Sequence, residues 1–211
     1  MQIRRGLLAT VAAAALTVSL GASAQAASPF DKQTLTPTSS VKTVTNAECV
    51  DAVSAAIAAG ATDLSTDQCT RTSTLKVSGA RTVTAAELAS VKDQFTAAEY
   101  SELSAAVING VLRSKNYSQQ MNNITDSQTQ YGKFYYDGDA AWVTNTRRGV
   151  AGTHHCRIDW AAGIGVDLQA CGESGSTYTR NIYMTWKYGF APAQWSETHT
   201  MYVNGVGSIW Q

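Results

Sequence analysis

From residue 45 to about residue 117, apolar side chains recur at helical spacing. Val50, Val53 and Ile57 share one face of a segment that stops at Gly60. Leu88, Val91 and Phe95 share a second, and Tyr100, Leu103, Val107, Val111 and Leu112 a third. A Thr-x-x-Glu box precedes each: Thr45 with Glu48, Thr84 with Glu87, Thr96 with Glu99. In such a box a hydroxyl and a carboxylate take up amides that the first helical turn leaves unpaired. Residues 72–83, between the first two helices, read as extended with a turn at Ser78-Gly79.

After Asn122 the period shortens to two. Residues 133–136 and 140–146 flank Asp137-Gly138-Asp139, a hairpin signal. Residues 153–160 and 164–171 flank Ala161-Ala162-Gly163, a second one. Residues 178–188 alternate strictly, with Ile182, Met184, Trp186 and Tyr188 on one face, and residues 198–204 and 208–211 complete six or seven strands. Fourteen of the 18 aromatic residues and 11 of the 16 glycines lie within 129–211, the composition of strands punctuated by turns. The predicted fold is α+β, an N-terminal helical segment (46–122) followed by a C-terminal antiparallel β-sandwich or barrel-like module (123–211).

The start of the chain reads differently. Arg4 and Arg5 precede an apolar run from Gly6 to Leu20, and Ala24-Gln25-Ala26 fits signal-peptidase cleavage, so residues 1–26 read as a signal peptide and the protein as secreted. Both general secretory and twin-arginine export fit the arginine pair. The run is shorter than the ~20 residues of a membrane span, and no later stretch is apolar enough for one. Residues 27–45, polar and rich in Thr and Ser, read as a flexible arm. The whole chain carries 16 basic and 16 acidic residues; without residues 1–26 the balance is 14 to 16, a net −2. With no basic run, nucleic acid is excluded as a partner.

Four cysteines in an exported chain imply disulfides. Cys49–Cys69 and Cys156–Cys171 is the expected pairing, because each pair falls within one compositional half. One difficulty accompanies it. In a simple hairpin, Cys156 opposite Cys171 turns Ile164, Val166 and Leu168 away from the apolar face, which calls for a bulge at Gly163 or Gly165.

Candidate chemistry is sparse. His154, His155, Cys156 and Asp159 are neighbours, but their spacing matches no metal-ligand pattern, and no metal or other cofactor is expected. Thr153-His154-His155-Cys156 and Cys171-Gly172-Glu173-Ser174-Gly175 resemble the histidine and serine contexts of chymotrypsin-like proteases. Only 19 positions separate His155 from Ser174, too few for that two-barrel fold, so residues 172–176 read as a polar turn. Asp137, Asp139, Asp159, Asp167 and Glu173 show no spacing that singles out a glycosidase pair. Trp142, Trp160 and Trp186 are expected in the core. Alternation cannot bury every other ring, and Tyr135, Tyr136, Tyr183, Tyr188, Trp195, Tyr202 and Trp210 are divided between core and surface. Of these, Tyr135, Tyr136, Tyr183, Trp195, Tyr202 and Trp210 are the candidate binding residues.

The stretch from Phe134-Tyr135-Tyr136-Asp137-Gly138 through His155-Cys156-Arg157-Ile158-Asp159-Trp160-Ala161 to Cys171 resembles small exported proteins of Streptomyces-type bacteria, among them the adaptor subunit of umbrella toxin particles. The resemblance spans residues 131–171 and carries over no individual residue. It implies a non-enzymatic adaptor, with other secreted proteins as partners, in a particle used for bacterial antagonism. A carbohydrate- or cell-wall-binding module or antibacterial effector is the alternative expectation, and a secreted hydrolase the second.

Overall fold

The computed structural model describes residues 38–211 except Val91, Gly149, Ala191 and Pro192, and without the side chains of Glu87 and Phe190. The expected signal peptide (1–26) and residues 27–37 of the expected arm lie outside the described residues. In chain order the elements are β1 (Thr38–Thr45), α1 (Ala47–Ala58), a 3-10 turn (Thr66–Cys69), β2 (Thr70–Val77), β3 (Arg81–Thr82), α2 (Ala85–Ala89), a second 3-10 turn (Lys92–Gln94) and α3 (Ala97–Ile108). Then follow β4 (Arg113–Asn122), β5 (Asp126–Tyr136), β6 (Ala141–Trp142), β7 (Thr153–Ala161), β8 (Gly165–Gly175), β9 (Thr179–Phe190), β10 (Ala193–Asn204) and β11 (Ile209–Trp210).

Two antiparallel sheets result. One runs β1-β2-β4-β5-β6, with β3 on β4 and β7 on β5; the other runs β11-β10-β9-β8. Neither closes into a barrel among the described residues. Leu75, Tyr117 and Phe134 of the first sheet pack against Ile182, Met201 and Val203 of the second in one apolar cluster. A second cluster sets the α1 residues Cys49 and Val53 and the disulfide partner Cys69 against Met184, Trp186, Tyr188 and Trp195. The third lies on the far side of β5, where Leu88, Leu103, Ala106 and Val107 cover Tyr135 and Trp142, whose rings stack at 5.9 Å. Strand β5 is thus covered on both faces, and its sequence shows near-continuous burial instead of alternation.

Of the two boxes whose side chains the structure describes, one caps its helix as the sequence implies. Thr96 and Glu99 form a reciprocal capping box at α3. At α1 the cap is Asn46, whose side chain accepts from the Cys49 amide at 2.9 Å, while the Thr45 hydroxyl bonds Thr70 Oγ1 at 3.0 Å. α2 is only five residues long, and α3 stops at Ile108, before Val111 and Leu112.

Three expectations are corrected. Residues 38–45 of the expected flexible arm form β1, fully paired with β2. The segment 46–122 is helical only in part, since β2, β3 and β4 belong to the same sheet as β5, so residue 122 is no boundary in space. β7 and β8 are not a hairpin. β7 pairs with β5 and β8 with β9, so the chain crosses between sheets at residues 162–164. Both disulfides form as expected, Cys49–Cys69 and Cys156–Cys171, and the second joins the two sheets instead of two paired strands. The register difficulty disappears with the hairpin. Bulges lie between Ser127 and Gln128 of β5 opposite β7, and between Leu168 and Ala170 of β8, not at Gly163 or Gly165.

Candidate binding face

Strict alternation divides β9 and β10. Ile182, Met184, Trp186 and Tyr188 point inward with Trp195, Glu197, His199, Met201 and Val203, all buried. The intervening residues therefore make the outer face of the β8–β11 sheet. Tyr183 pairs with Thr200, Tyr202 with Asn181, and Trp210 with Tyr202, so the three rings step diagonally from β9 to β11. Tyr202 and Trp210 stack with centroids 5.5 Å apart and planes 16° apart. At the other end of the row, Tyr183 crosses Gly172 of β8; a Cβ on Gly172 would stand 3.2 Å from its hydroxyl. Around the rings lie Thr185 and Thr198, whose hydroxyls are 2.9 Å apart, with Thr200 and Ser196. The charges Asp167 and Lys187 face each other at the β8–β9 margin. The face is aromatic and hydroxyl-rich, with few charges.

The six candidate binding residues thus separate. Tyr183, Tyr202 and Trp210 share this face, with Trp210 42% exposed. Tyr135 (0%), Tyr136 (3%) and Trp195 (5%) are core residues, as is Tyr188, because each projects toward a covering layer, and none is accessible to a ligand. Trp160 reverses in the other direction: at 42% exposed it is not a core residue. It is the next-to-last residue of β7, just beyond the bulge opposite Ser127 and Gln128.

A buried polar layer between the sheets is the feature that pattern reading missed. Arg71 Nε donates to Glu197 Oε2 at 2.7 Å, its terminal nitrogens bond Asp126, and its guanidinium lies 4.4 Å from the centroid of Tyr188. Gln128 also donates to Asp126 and accepts from the Tyr188 hydroxyl at 3.2 Å. Burial opposes the charge on Arg71, but Tyr188, Glu197 and Asp126 together raise its pKa. Burial also raises Glu197, with Arg71 pulling the other way. The signal in the sequence was the interruption of apolar alternation by Arg71 and Ser73 on β2 and by Glu197 and His199 on β10.

His199 gives the strongest case for catalysis. It lines a cavity of about 150 Å³ with Ser73, Gln119 and Gln211, and its Nε2 lies 3.8 Å from Glu197 Oε1. The chemistry does not follow. Burial and the nearby Arg71 push His199 down to about 3, so at neutral pH it is a poor base. The Ser73 hydroxyl donates to Gln211 Oε1 and accepts from Gln119 at 3.0 Å. Glu197 is held by Arg71. His154 bonds Tyr117, and His155 packs at a tilt against Tyr131 with centroids 5.3 Å apart. The protease-like pair is separated as well. His155 stands on β7 of one sheet and Ser174 on β8 of the other, and residues 172–175 continue that strand instead of turning. Glu173 accepts hydrogen bonds from the Val143, Thr144 and Asn145 amides and anchors the loop after β6. Asp137 accepts from the amides of Asp139 and Ala140 within its own turn. Asp159 is occupied by Ser127, Thr129 and Arg157.

The chain matches no protein-family model, no curated protein and no solved structure. No helix among the described residues is long and apolar enough to cross a membrane.

Proposed function

We propose that this chain is a secreted, non-enzymatic binding protein that docks onto another secreted protein of an extracellular assembly through the outer face of its β8–β11 sheet. One observation carries the reading: Tyr183, Tyr202 and Trp210 lie on one diagonal of a sheet face that bears few charges and that no other element among the described residues covers. Aromatic enrichment and charge depletion characterise the cores of protein interfaces. Two disulfides suit an oxidising compartment, and with them this scaffold presents the face rigidly. The resemblance to the adaptor subunits of umbrella toxin particles gives the same role, that of a bridge between components of an antagonistic particle. A finer description of the fold, a β-sandwich with α1 against the inner residues of β9 and β10 and with α2 and α3 over the far side of β5, belongs to the same reading.

The stacked pair Tyr202–Trp210 favours a second reading. Stacked rings flanked by threonine hydroxyls are also what a sugar-binding platform uses, with cell-wall glycan as the ligand. Native purification from culture supernatant, followed by mass measurement and glycan-array binding, separates the two. A stable hetero-complex without glycan binding supports the adaptor. Glycan binding by a lone monomer supports the second reading. A partner-free monomer that binds no glycan defeats both.

A further inference from the structure

The Cys156–Cys171 bridge spans β7 and β8, and it is the accessible one of the two. Cys156 is half-buried and Cys171 exposed, whereas Cys49 and Cys69 are each 1% exposed. A reductant in solution therefore reaches this bridge first. His154 stands two residues before Cys156 on the same face of β7, with Nε2 3.4 Å from Cys156 Sγ. The ring nitrogen and both sulfurs all lie within 4.8 Å of one another.

The Tyr117 hydroxyl can partner His154 Nδ1 in either imidazole tautomer. Nδ1 is 2.9 Å from Tyr117 Oη, which is itself 3.3 Å from the Thr153 carbonyl, and Nε2 is 3.2 Å from the Tyr183 carbonyl. With the bridge closed, the Tyr117 hydroxyl donates to Nδ1, and Nε2–H donates to Tyr183 O. In the other tautomer, Nδ1–H donates to Tyr117 Oη, whose own proton goes to Thr153 O. Nε2 then bears a lone pair, which turns from the Tyr183 carbonyl toward the sulfurs as the site forms, while the imidazole stays oriented through its second nitrogen, as ligating histidines usually are.

We propose that reduction of Cys156–Cys171 by a dithiol converts this corner into a site for one soft divalent cation of the Zn²⁺ type, held by His154 Nε2, Cys156 Sγ and Cys171 Sγ. The dithiol loses two electrons and two protons as it closes its own disulfide. The S–S bond breaks and each cysteine becomes a thiol, and both thiols release their protons to solvent when the metal binds. Zn–S bonds of ~2.3 Å in a tetrahedral site place the two sulfurs roughly 3.8 Å apart. The closed bridge holds them at bonding distance, so they must part, by rotation of the two freed side chains and by yielding of β8. It is an edge strand with a bulge just before Cys171 and a glycine just after it, which gives it the freedom to do so. The exposed side of Cys171 leaves a fourth position to water.

Treating the full oxidised protein with dithiothreitol, removing the reagent without oxygen and titrating with Co²⁺ tests the site. One equivalent is expected to bind, with a thiolate-to-cobalt charge-transfer band, and none before reduction. His154→Ala is expected to weaken binding at least tenfold and Tyr117→Phe about tenfold. A band of unchanged strength in His154→Ala, or no band in the reduced protein, overturns the proposal. A second readout needs no variant: Zn²⁺ should shield both Cys156 and Cys171 of the reduced protein from alkylation by iodoacetamide. Equal labelling with and without Zn²⁺ also overturns it.

Discussion

Arg71 on β2 and Glu197 on β10 meet inside the protein, guanidinium nitrogen to carboxylate oxygen at 2.7 Å, and tie the two sheets together where the apolar clusters leave a gap. Asp126 completes the triad from β5. A buried arrangement of this kind contributes little net stability over an apolar filling, but losing one member strands the others. Arg71→Met is expected to cost about 3–5 kcal/mol in urea unfolding. Adding Glu197→Gln should recover part of that loss, because one stranded charge is removed. Additive losses in the double variant would show that the two residues are not coupled.

The low pKa of His199 makes it an acid-sensitive element. The unfolded chain takes up a proton near pH 6.5, whereas the folded one resists it down to about 3. Between those limits the unfolded state binds more protons, so the stability due to this group is full above pH 6.5 and falls as pH drops toward 3. His199→Gln should flatten the decline between pH 6.5 and 4 by a few kcal/mol. Unfolding free energies measured at several pH values check this. An identical slope in the variant would mean that other groups govern it.

Glu173 holds the loop after β6 by three backbone amides and the Thr144 hydroxyl. Glu173→Ala should speed hydrogen exchange at Val143, Thr144 and Asn145 at least tenfold, about 1.4 kcal/mol of local opening. The amides of β5 should be unaffected. Exchange that accelerates across the whole sheet would make Glu173 a global stabiliser.

Removing the bridge between the sheets by Cys156→Ser with Cys171→Ser releases a constraint 15 residues apart in sequence. A loss of about 3 kcal/mol is expected from chain entropy. Denaturant midpoints with unchanged slope measure it.

What the sequence carried and what it withheld follows from how local each feature is. The 179–190 strand was readable because Ile182, Met184, Trp186 and Tyr188 alternate without interruption. Thr96 and Glu99 specified their helix start within four residues. Residues 113–122 were harder. Tyr117, Gln119 and Met121 form the inward row of β4, but the glutamine breaks the apolar pattern, and it is buried only because Gln130 and Gln211 complete its bonds. β1 was hidden for a related reason: its polar side chains gain order from pairing with β2, a long-range partner. The β7–β8 crossover misled because short turns usually join paired strands. In the binding face, alternation from Tyr188 separates Tyr183 from the core. The burial of Tyr135 depends on α2 and α3 lying over β5, which no local window contains.

The most direct test compares the unmodified protein, expressed in its own host as the full chain, with a Tyr202→Ser/Trp210→Ser variant of equal thermal stability, each isolated from culture supernatant and weighed by native mass spectrometry. The unmodified protein should emerge bound to a second secreted protein, and the variant alone. Equal retention of the partner by both forms, or a bare monomer in both, would contradict docking through this face.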